Sequence, residues 1–254
     1  IYFLSTEDSP LERQMYSIGI DGNDKRRMTR GDGWHGINMS RDYKFYIDVY
    51  SNPDTPPVYT LHDITGKKLR VLEDNQALQQ QMTGYAFPHK EFMKVDLPNA
   101  EGLNAYMLKP ADFDPSKKYP VLMYVYGGPG SQTVTEQFAA DQRSLWFDYL
   151  ASQGYLVFSI DNRGTGARGR DFEKQVYKHL GKYETVDQVN AAKYLKTLDY
   201  VDPDRIGIWG WSYGGYMTAM ALTHSDRVFE MGISVSPVTD WKFYDTIYTE
   251  RFMQ

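Results

Sequence analysis

The sequence predicts two regions of different class: short antiparallel strands over residues 1–73, then a doubly wound, mostly parallel α/β sheet over 91–254. Three observations carry this. In the first region a strand-and-turn pattern recurs: Tyr16-Ser17-Ile18 corresponds to Tyr59-Thr60-Leu61 at an offset of 43 residues, and the turn glycines Gly22 and Gly66 are offset by 44. A period of about 40–45 residues with several short strands per unit is the signature of propeller blades. In the second region, near-continuous apolar runs alternate with segments of helical period, as expected of strands covered on both faces. Finally, Gly210-Trp211-Ser212-Tyr213-Gly214 spells G-x-S-x-G between an apolar run and a helical pattern.

Taken in order, Ile1–Thr6, Gln14–Ile20 and Lys25–Thr29 read as strands around the Asp21-Gly22-Asn23-Asp24 turn. Ile37–Ser40, Tyr43–Tyr50, Val58–His62 and Leu69–Leu72 form a second set. Two such units cannot close a propeller, which takes four to eight blades, so the segment reads as the last blade or two of one. An unrelated small meander is the alternative. Asp74–Met82 reads as a connecting helix capped by Asp74 or Asn75, with residues 74–90 as the linker. Strands are then expected at Phe92–Leu97, Leu103–Leu108, Val121–Tyr126, Tyr155–Ile160, Arg205–Trp209 and Met231–Val235. Leu145, Trp146, Tyr149 and Leu150 give one amphipathic helix, and Val186, Val189, Ala192, Leu195 and Leu198 another.

Composition bounds the chemistry. The 254 residues suffice for a substantial core, and 41% hydrophobic with 24% charged residues is ordinary for a globular chain. A net charge of −5 gives no footprint for nucleic acid. No apolar run reaches membrane-spanning length. The opening Ile1-Tyr2-Phe3-Leu4 reads as mid-strand, as in a fragment. With no Cys, thiol catalysis and Cys-zinc sites are excluded, and the histidines at 35, 62, 89, 179 and 224 show no metal-ligand spacing. No metal and no cofactor is expected. Asn38-Met39-Ser40 fits a glycosylation sequon, a triplet common by chance.

The serine motif needs glycines on both sides, because a Cβ there would collide where strand turns sharply into helix. That turn lifts Ser212 above the carboxyl end of an inner strand, where ligands bind in such sheets. Upstream, Tyr124-Val125-Tyr126-Gly127-Gly128-Pro129-Gly130 closes the third strand of the sheet region. A tyrosine hydroxyl at that end can donate to a developing oxyanion; packed tyrosines beside a Gly-Pro turn are the bland alternative. Gly164-Thr165-Gly166-Ala167-Arg168-Gly169 is a literal G-x-G-x-x-G with Glu184 and Asp187 about 20 residues on. It follows a later strand and is crowded by Arg163, Arg168 and Arg170, so a structural loop is favoured over a nucleotide site.

A serine nucleophile also needs a His base and an acid to orient it. After Ser212 the only histidine is His224, at the far end of the helix that Ser212 begins, about 18 Å away at 1.5 Å per residue. Asp226, Asp240 and Asp245 follow without a later His. The triad is therefore expected to be incomplete within this chain, and the chain alone to be inactive.

These motifs resemble the dipeptidyl peptidase IV branch of the prolyl oligopeptidase family, which joins a β-propeller to an α/β-hydrolase domain. Tyr-Gly-Gly-Pro-Gly, Asp161-Asn162-Arg163-Gly164, Gly-Trp-Ser-Tyr-Gly-Gly and Tyr248-Thr249-Glu250-Arg251-Phe252-Met253 carry the likeness. The fold it implies is an α/β hydrolase preceded by strands of an incomplete β-propeller. It implies Ser212 as nucleophile and an oxyanion hole of the Tyr126 hydroxyl and Tyr213 backbone N–H. Val238, Trp241, Tyr244 and Tyr248 would line a proline-sized pocket. Aromatic faces suit a pyrrolidine ring, burying apolar area without asking for a hydrogen bond. Core packing is the other reading of this cluster. The resemblance further implies a serine exopeptidase of Xaa-Pro dipeptides. Its partners would be peptide substrates with proline at the second position, and its setting periplasmic, secreted or membrane-anchored. A homodimer is compatible with it, and no nucleic acid or membrane span is expected. The triad Asp and His, an Asn-containing loop and the paired glutamates that anchor the substrate amine would all lie outside these 254 residues. A prolyl tripeptidyl peptidase and a non-catalytic binding module are the competing functions.

Overall fold

Near-continuous apolar runs build the inner strands of the larger sheet, and strand geometry sends successive side chains to its two faces. The computed structural model describes residues 1–139 and 143–253. The chain divides into two compact units, Ile1–Ala86 with Thr135–Leu145, and Phe87–Val134 with Trp146–Gln254.

The first unit holds two antiparallel meanders. β1 (Tyr2–Ser5), β2 (Gln14–Ser17) and β3 (Arg26–Arg27) pair in that order, and β4 (Trp34–Met39), β5 (Phe45–Asn52), β6 (Thr55–Asp63) and β7 (Lys68–Glu73) pair in theirs. Tyr16 and Tyr59 each lie in the next-to-last strand of their sheet. Gly22 and Gly66 occupy the turns that follow, both at positive φ (84° and 90°). The repeat is therefore real at the level of strand position, although Tyr16 is buried and Tyr59 exposed. A small core of Met15, Met28 and Tyr46 is shared by the two sheets. Beside it His35 and Asp48 form a buried pair at 2.9 Å. α1 (Gln76–Met82) follows. The Asp74 carboxylate accepts the Gln76 N–H, whereas the Asn75 amide donates to the Pro57 carbonyl instead of capping.

The second unit is a six-stranded sheet. β8 (His89–Leu97) and β9 (Ala100–Lys109) are antiparallel, and β10 (Tyr119–Tyr124), β11 (Leu156–Ile160), β12 (Val201–Trp211) and β13 (Met231–Val235) run parallel, in the order β13-β12-β10-β11-β9-β8. Alternation separates its two faces. Val121, Met123, Phe158, Ile160, Ile206 and Ile208 enter one core, while Leu122, Tyr124, Val157 and Trp209 enter the other. α2 (Arg143–Ser152) contributes Phe147 and Ala151 to the second face. α4 (Lys182–Leu195) and α5 (Tyr213–Thr223) pack on the first. Short α3 (Arg170–Glu173) precedes α4, and α6 (Thr246–Met253) closes the described chain. No described helix is long and apolar enough to cross a membrane.

The two helical stripes expected from the sequence hold only in part: Trp146 and Leu150 of the first, and Val189, Ala192 and Leu195 of the second, meet the core, whereas Leu145, Tyr149 and Val186 do not. In α2, Leu145 and Tyr149 face solvent and Phe147 and Ala151 turn inward, because apolar residues occur on both sides of this helix and its phase is ambiguous. In α4, Val186 is 42% exposed and Leu198 lies beyond the helix end. The buried face reads Glu184, Thr185, Asp187, Gln188, Val189, Ala191, Ala192 and Leu195, so acids and amides share it with the expected apolar residues. Polar residues win the inward positions because partners wait there. Asp187, fully buried, accepts the Arg163 guanidinium at 2.7–3.1 Å and also the Arg163 backbone N–H at 2.9 Å. Removing one member of such a pair strands the other. Asp187→Ala is expected to lower the stability of the second unit by about 3–5 kcal/mol, read from urea unfolding.

Candidate active site

β10 and β12 are parallel neighbours in register, Tyr124 opposite Trp209, so the chain leaves both at the same end of the sheet. Val125 N–H still donates to the Trp209 carbonyl at 3.0 Å, which brings the segment after β10 against the turn after β12. At that turn Ser212 sits at φ 58°, ψ −116°, a conformation a non-glycine residue rarely adopts. The approach is so close that a Cβ on Gly210 or Gly214 would overlap the Val125 carbonyl oxygen. The strand-turn-helix context that the motif requires is therefore present, with Ser212 as the cap and Tyr213 the first residue of α5. Ser212 is partly exposed.

Around it the predicted aromatic residues form a chain of ring contacts. Tyr126 faces Tyr213 at 6.1 Å and Tyr213 meets Trp241 at 5.5 Å. Trp241 stacks on Tyr248 at 5.6 Å and 10°, and Tyr244 meets Tyr248 edge-on at 5.5 Å. Val238 lies half-buried in the loop before Trp241 and, lacking a ring, takes no part in that set. Burial, with Tyr244 nearby, pushes the Tyr126 hydroxyl above its ordinary pKa, so it remains a proton-bearing donor at neutral pH.

The Asp161-Asn162-Arg163 run after β11 ties the surrounding loops. The Asp161 carboxylate accepts the Thr133 N–H at 2.8 Å, the Thr133 hydroxyl at 2.9 Å and the Val134 N–H at 3.2 Å. The Asn162 amide donates to the Gly127 carbonyl at 3.0 Å and accepts from Gln188 at 3.0 Å, and Arg163 takes Asp187. The first two glycines of the G-x-G-x-x-G run are filled by protein: Gly166 N–H donates to the Ser131 carbonyl, the Gly164 carbonyl accepts the Gly130 N–H, and a side chain on Gly164 would meet Val176. These contacts make the run a structural loop. Its distant acids go elsewhere: Asp187 to Arg163, and Glu184 to the Tyr213 hydroxyl at 2.7 Å. Reading the sequence missed the Glu184–Tyr213 contact. The available signal was polar spacing at 184, 187 and 188, three and four residues apart on one helix face.

No described imidazole hydrogen-bonds to Ser212. His224 caps the far end of α5, where its Nδ1 lies 3.0 Å from the Met220 carbonyl. Among the described residues no cluster of three or more His, Asp or Glu could hold a metal.

An elbow serine on a doubly wound sheet defines an α/β hydrolase. The comparisons narrow the class. The prolyl oligopeptidase family matches residues 142–254, and the dipeptidyl peptidase IV N-terminal region matches residues 1–57. The probable dipeptidyl-aminopeptidase B of Coccidioides posadasii is 40% identical over 259 residues, covering 100% of this chain and 28% of the relative. The probable dipeptidyl peptidase 4 of Emericella nidulans is 39% identical over 262 residues, covering 100% and 33%. The crystal structure of Porphyromonas gingivalis dipeptidyl peptidase 4 superposes with a TM-score of 0.94 at 46% identity, over 99% of this chain and 35% of that one. The chain is similar over its whole length to the dipeptidyl peptidase IV branch of the prolyl oligopeptidase family. It spans about a third or less of the length of the relatives it matches.

Two outcomes check this geometry. Gly214→Ala is expected to destabilise the unit by several kcal/mol, or to prevent folding, because the new methyl meets backbone that cannot swing away; a melting curve or soluble yield reads it. Burial pushes the Asp161 carboxyl up to about 6, against the Thr133 and Val134 donors that pull it down. A raised folded-state pKa means the folded protein holds the proton longer, so this contribution to stability is complete below about 4 and is lost as pH rises to about 6. The stability difference between wild type and Asp161→Asn is expected to shrink across that window, as measured by denaturant titration at each pH.

Proposed function

We propose that the protein containing this chain is a serine exopeptidase that removes Xaa-Pro dipeptides from peptide N-termini, with residues 91–254 contributing to its catalytic domain. The Ser212 Oγ attacks the prolyl carbonyl carbon, the carbonyl oxygen becomes an oxyanion, and the C–N bond breaks to leave a dipeptidyl ester on Ser212. Water then hydrolyses that ester. The Tyr126 hydroxyl and the Tyr213 N–H stabilise the oxyanion. Val238, Trp241, Tyr244 and Tyr248 receive the proline ring, and the aromatic faces of the last three exclude water from it. The observation that carries this reading is the strained Ser212 turn set against the end of β10, with Tyr126 and Tyr213 in ring contact beside it.

Proton transfer needs a base that no described residue offers to Ser212, so these 254 residues alone form an inactive module whose base comes from the remainder of a longer protein. A peptidase of this kind works on extracellular or periplasmic peptides, and a tripeptidyl specificity would use the same serine and pocket.

The full-length protein is expected to hydrolyse a Gly-Pro chromogenic amide and to be labelled by a fluorophosphonate at Ser212. Both activities should vanish in Ser212→Ala, and Tyr126→Phe should lower kcat by about 10²–10³. Hydrolysis that survives Ser212→Ala sinks the assignment. Robust, Ser212-dependent turnover by residues 1–254 alone would contradict the inactive-module reading.

A further inference from the structure

Glu184 is fully buried on α4, yet no described cation pairs with it; the nearby guanidinium of Arg163 is taken by Asp187. One of its oxygens, Oε1, accepts both the Tyr213 hydroxyl at 2.7 Å and the Gly181 N–H at 3.0 Å, while Oε2 has no partner. A carboxyl is a costly space-filler, and an apolar residue of that size would pack here at lower cost. The contact must therefore be understood from its other end.

Tyr213 is 2% exposed and lies between two constraints. Its backbone N–H belongs to the first turn of α5, where no intrahelical acceptor exists, and finds none among the described residues. The Ser212 torsions set the plane of the peptide that carries it. Its ring is wedged among Tyr126, Tyr216 and Trp241, and its hydroxyl reaches α4. Hydrogen-bond strength falls steeply with donor angle, so small rotations of this peptide matter to any oxyanion it serves.

We propose that Glu184 is a positioning residue for the oxyanion site: by accepting the Tyr213 hydroxyl it fixes the peptide between Ser212 and Tyr213, and with it the direction in which the Tyr213 N–H is offered to the substrate oxygen. This rests on the peptidase assignment above. The same clamp steadies the ring against which Trp241 packs, but the oxyanion geometry is the sensitive end.

The test compares Glu184→Gln, Glu184→Ala and Tyr213→Phe in the full-length protein, each checked for native circular dichroism. Glu184→Ala and Tyr213→Phe are expected to lower kcat about tenfold or more with KM within about twofold, since the lost interaction strengthens only in the transition state. Glu184→Gln keeps an acceptor oxygen at the same place and is expected to restore most of the rate. Two probes separate this from loosened packing. An aminoacyl boroproline, which forms a tetrahedral adduct on the serine, should lose affinity in step with kcat/KM; an aminoacyl pyrrolidide with no electrophile should keep its affinity. Equal losses for both probes, or unchanged kcat in Tyr213→Phe, overturn the proposal. If Glu184→Ala fails to fold, the near-isosteric Tyr213→Phe and Glu184→Gln still decide it. Failure of wild type to label with fluorophosphonate would strike the peptidase assignment itself, whereas wild-type labelling with unaffected variants would strike only the role of Glu184.

Discussion

The arrangement depends on one backbone contact: the Val125 carbonyl lying in the space that side chains at 210 and 214 would occupy. Because β10 and β12 run parallel in register, that contact fixes the ends of both strands relative to each other. The serine turn, the first turn of α5 and the tyrosine after β10 then share a single frame. Glycine is required at these positions for the room it leaves, and the strain at Ser212 is held by the packing around it. A site built in this way is preorganised by the sheet, with little left to loop motion.

The polar network behind the site follows from the same frame. The three residues that leave β11 each anchor a different neighbour: Asp161 the 133–134 backbone, Asn162 the Gly127 carbonyl, Arg163 the α4 carboxylate. The segment after Tyr126 is thus tied down by side chains from an adjacent strand. Its own glycines could not hold it.

Much of this was legible in the sequence because short-range rules dominate there. The inner strands β10 and β11 were recoverable since fully covered strands are apolar throughout, and the serine turn since only glycine fits beside it. The propeller-type repeat showed through the offset of Tyr16 and Tyr59, which the structure places in equivalent strands. What was hidden depended on partners distant in sequence. Apolar counting puts Val186 inside α4 and Glu184 outside, but Tyr213, twenty-nine residues on, reverses the preference. Likewise Leu145 and Tyr149 satisfy a helical stripe as well as Phe147 and Ala151 do, and only Tyr124 and Trp209 across the sheet select between them. The roles of Tyr126, Val238, Trp241, Tyr244 and Tyr248 came from likeness to a family, since a cluster of tyrosines has the same local pattern in a core as in a pocket.

α4 carries two buried carboxyl groups three residues apart, and they are satisfied in incompatible ways. Asp187 needs a cation and has Arg163; Glu184 needs hydroxyl and amide donors and has Tyr213 and Gly181. Turning the helix by one residue, about 100°, would withdraw both acids from their partners and leave the Arg163 guanidinium without its counter-ion. The small Ala191 and Ala192 would tolerate such slippage, whereas Val189 and Leu195 on the same face oppose it. The two acids act as a key with unlike teeth, admitting a single rotational setting of the helix against the sheet.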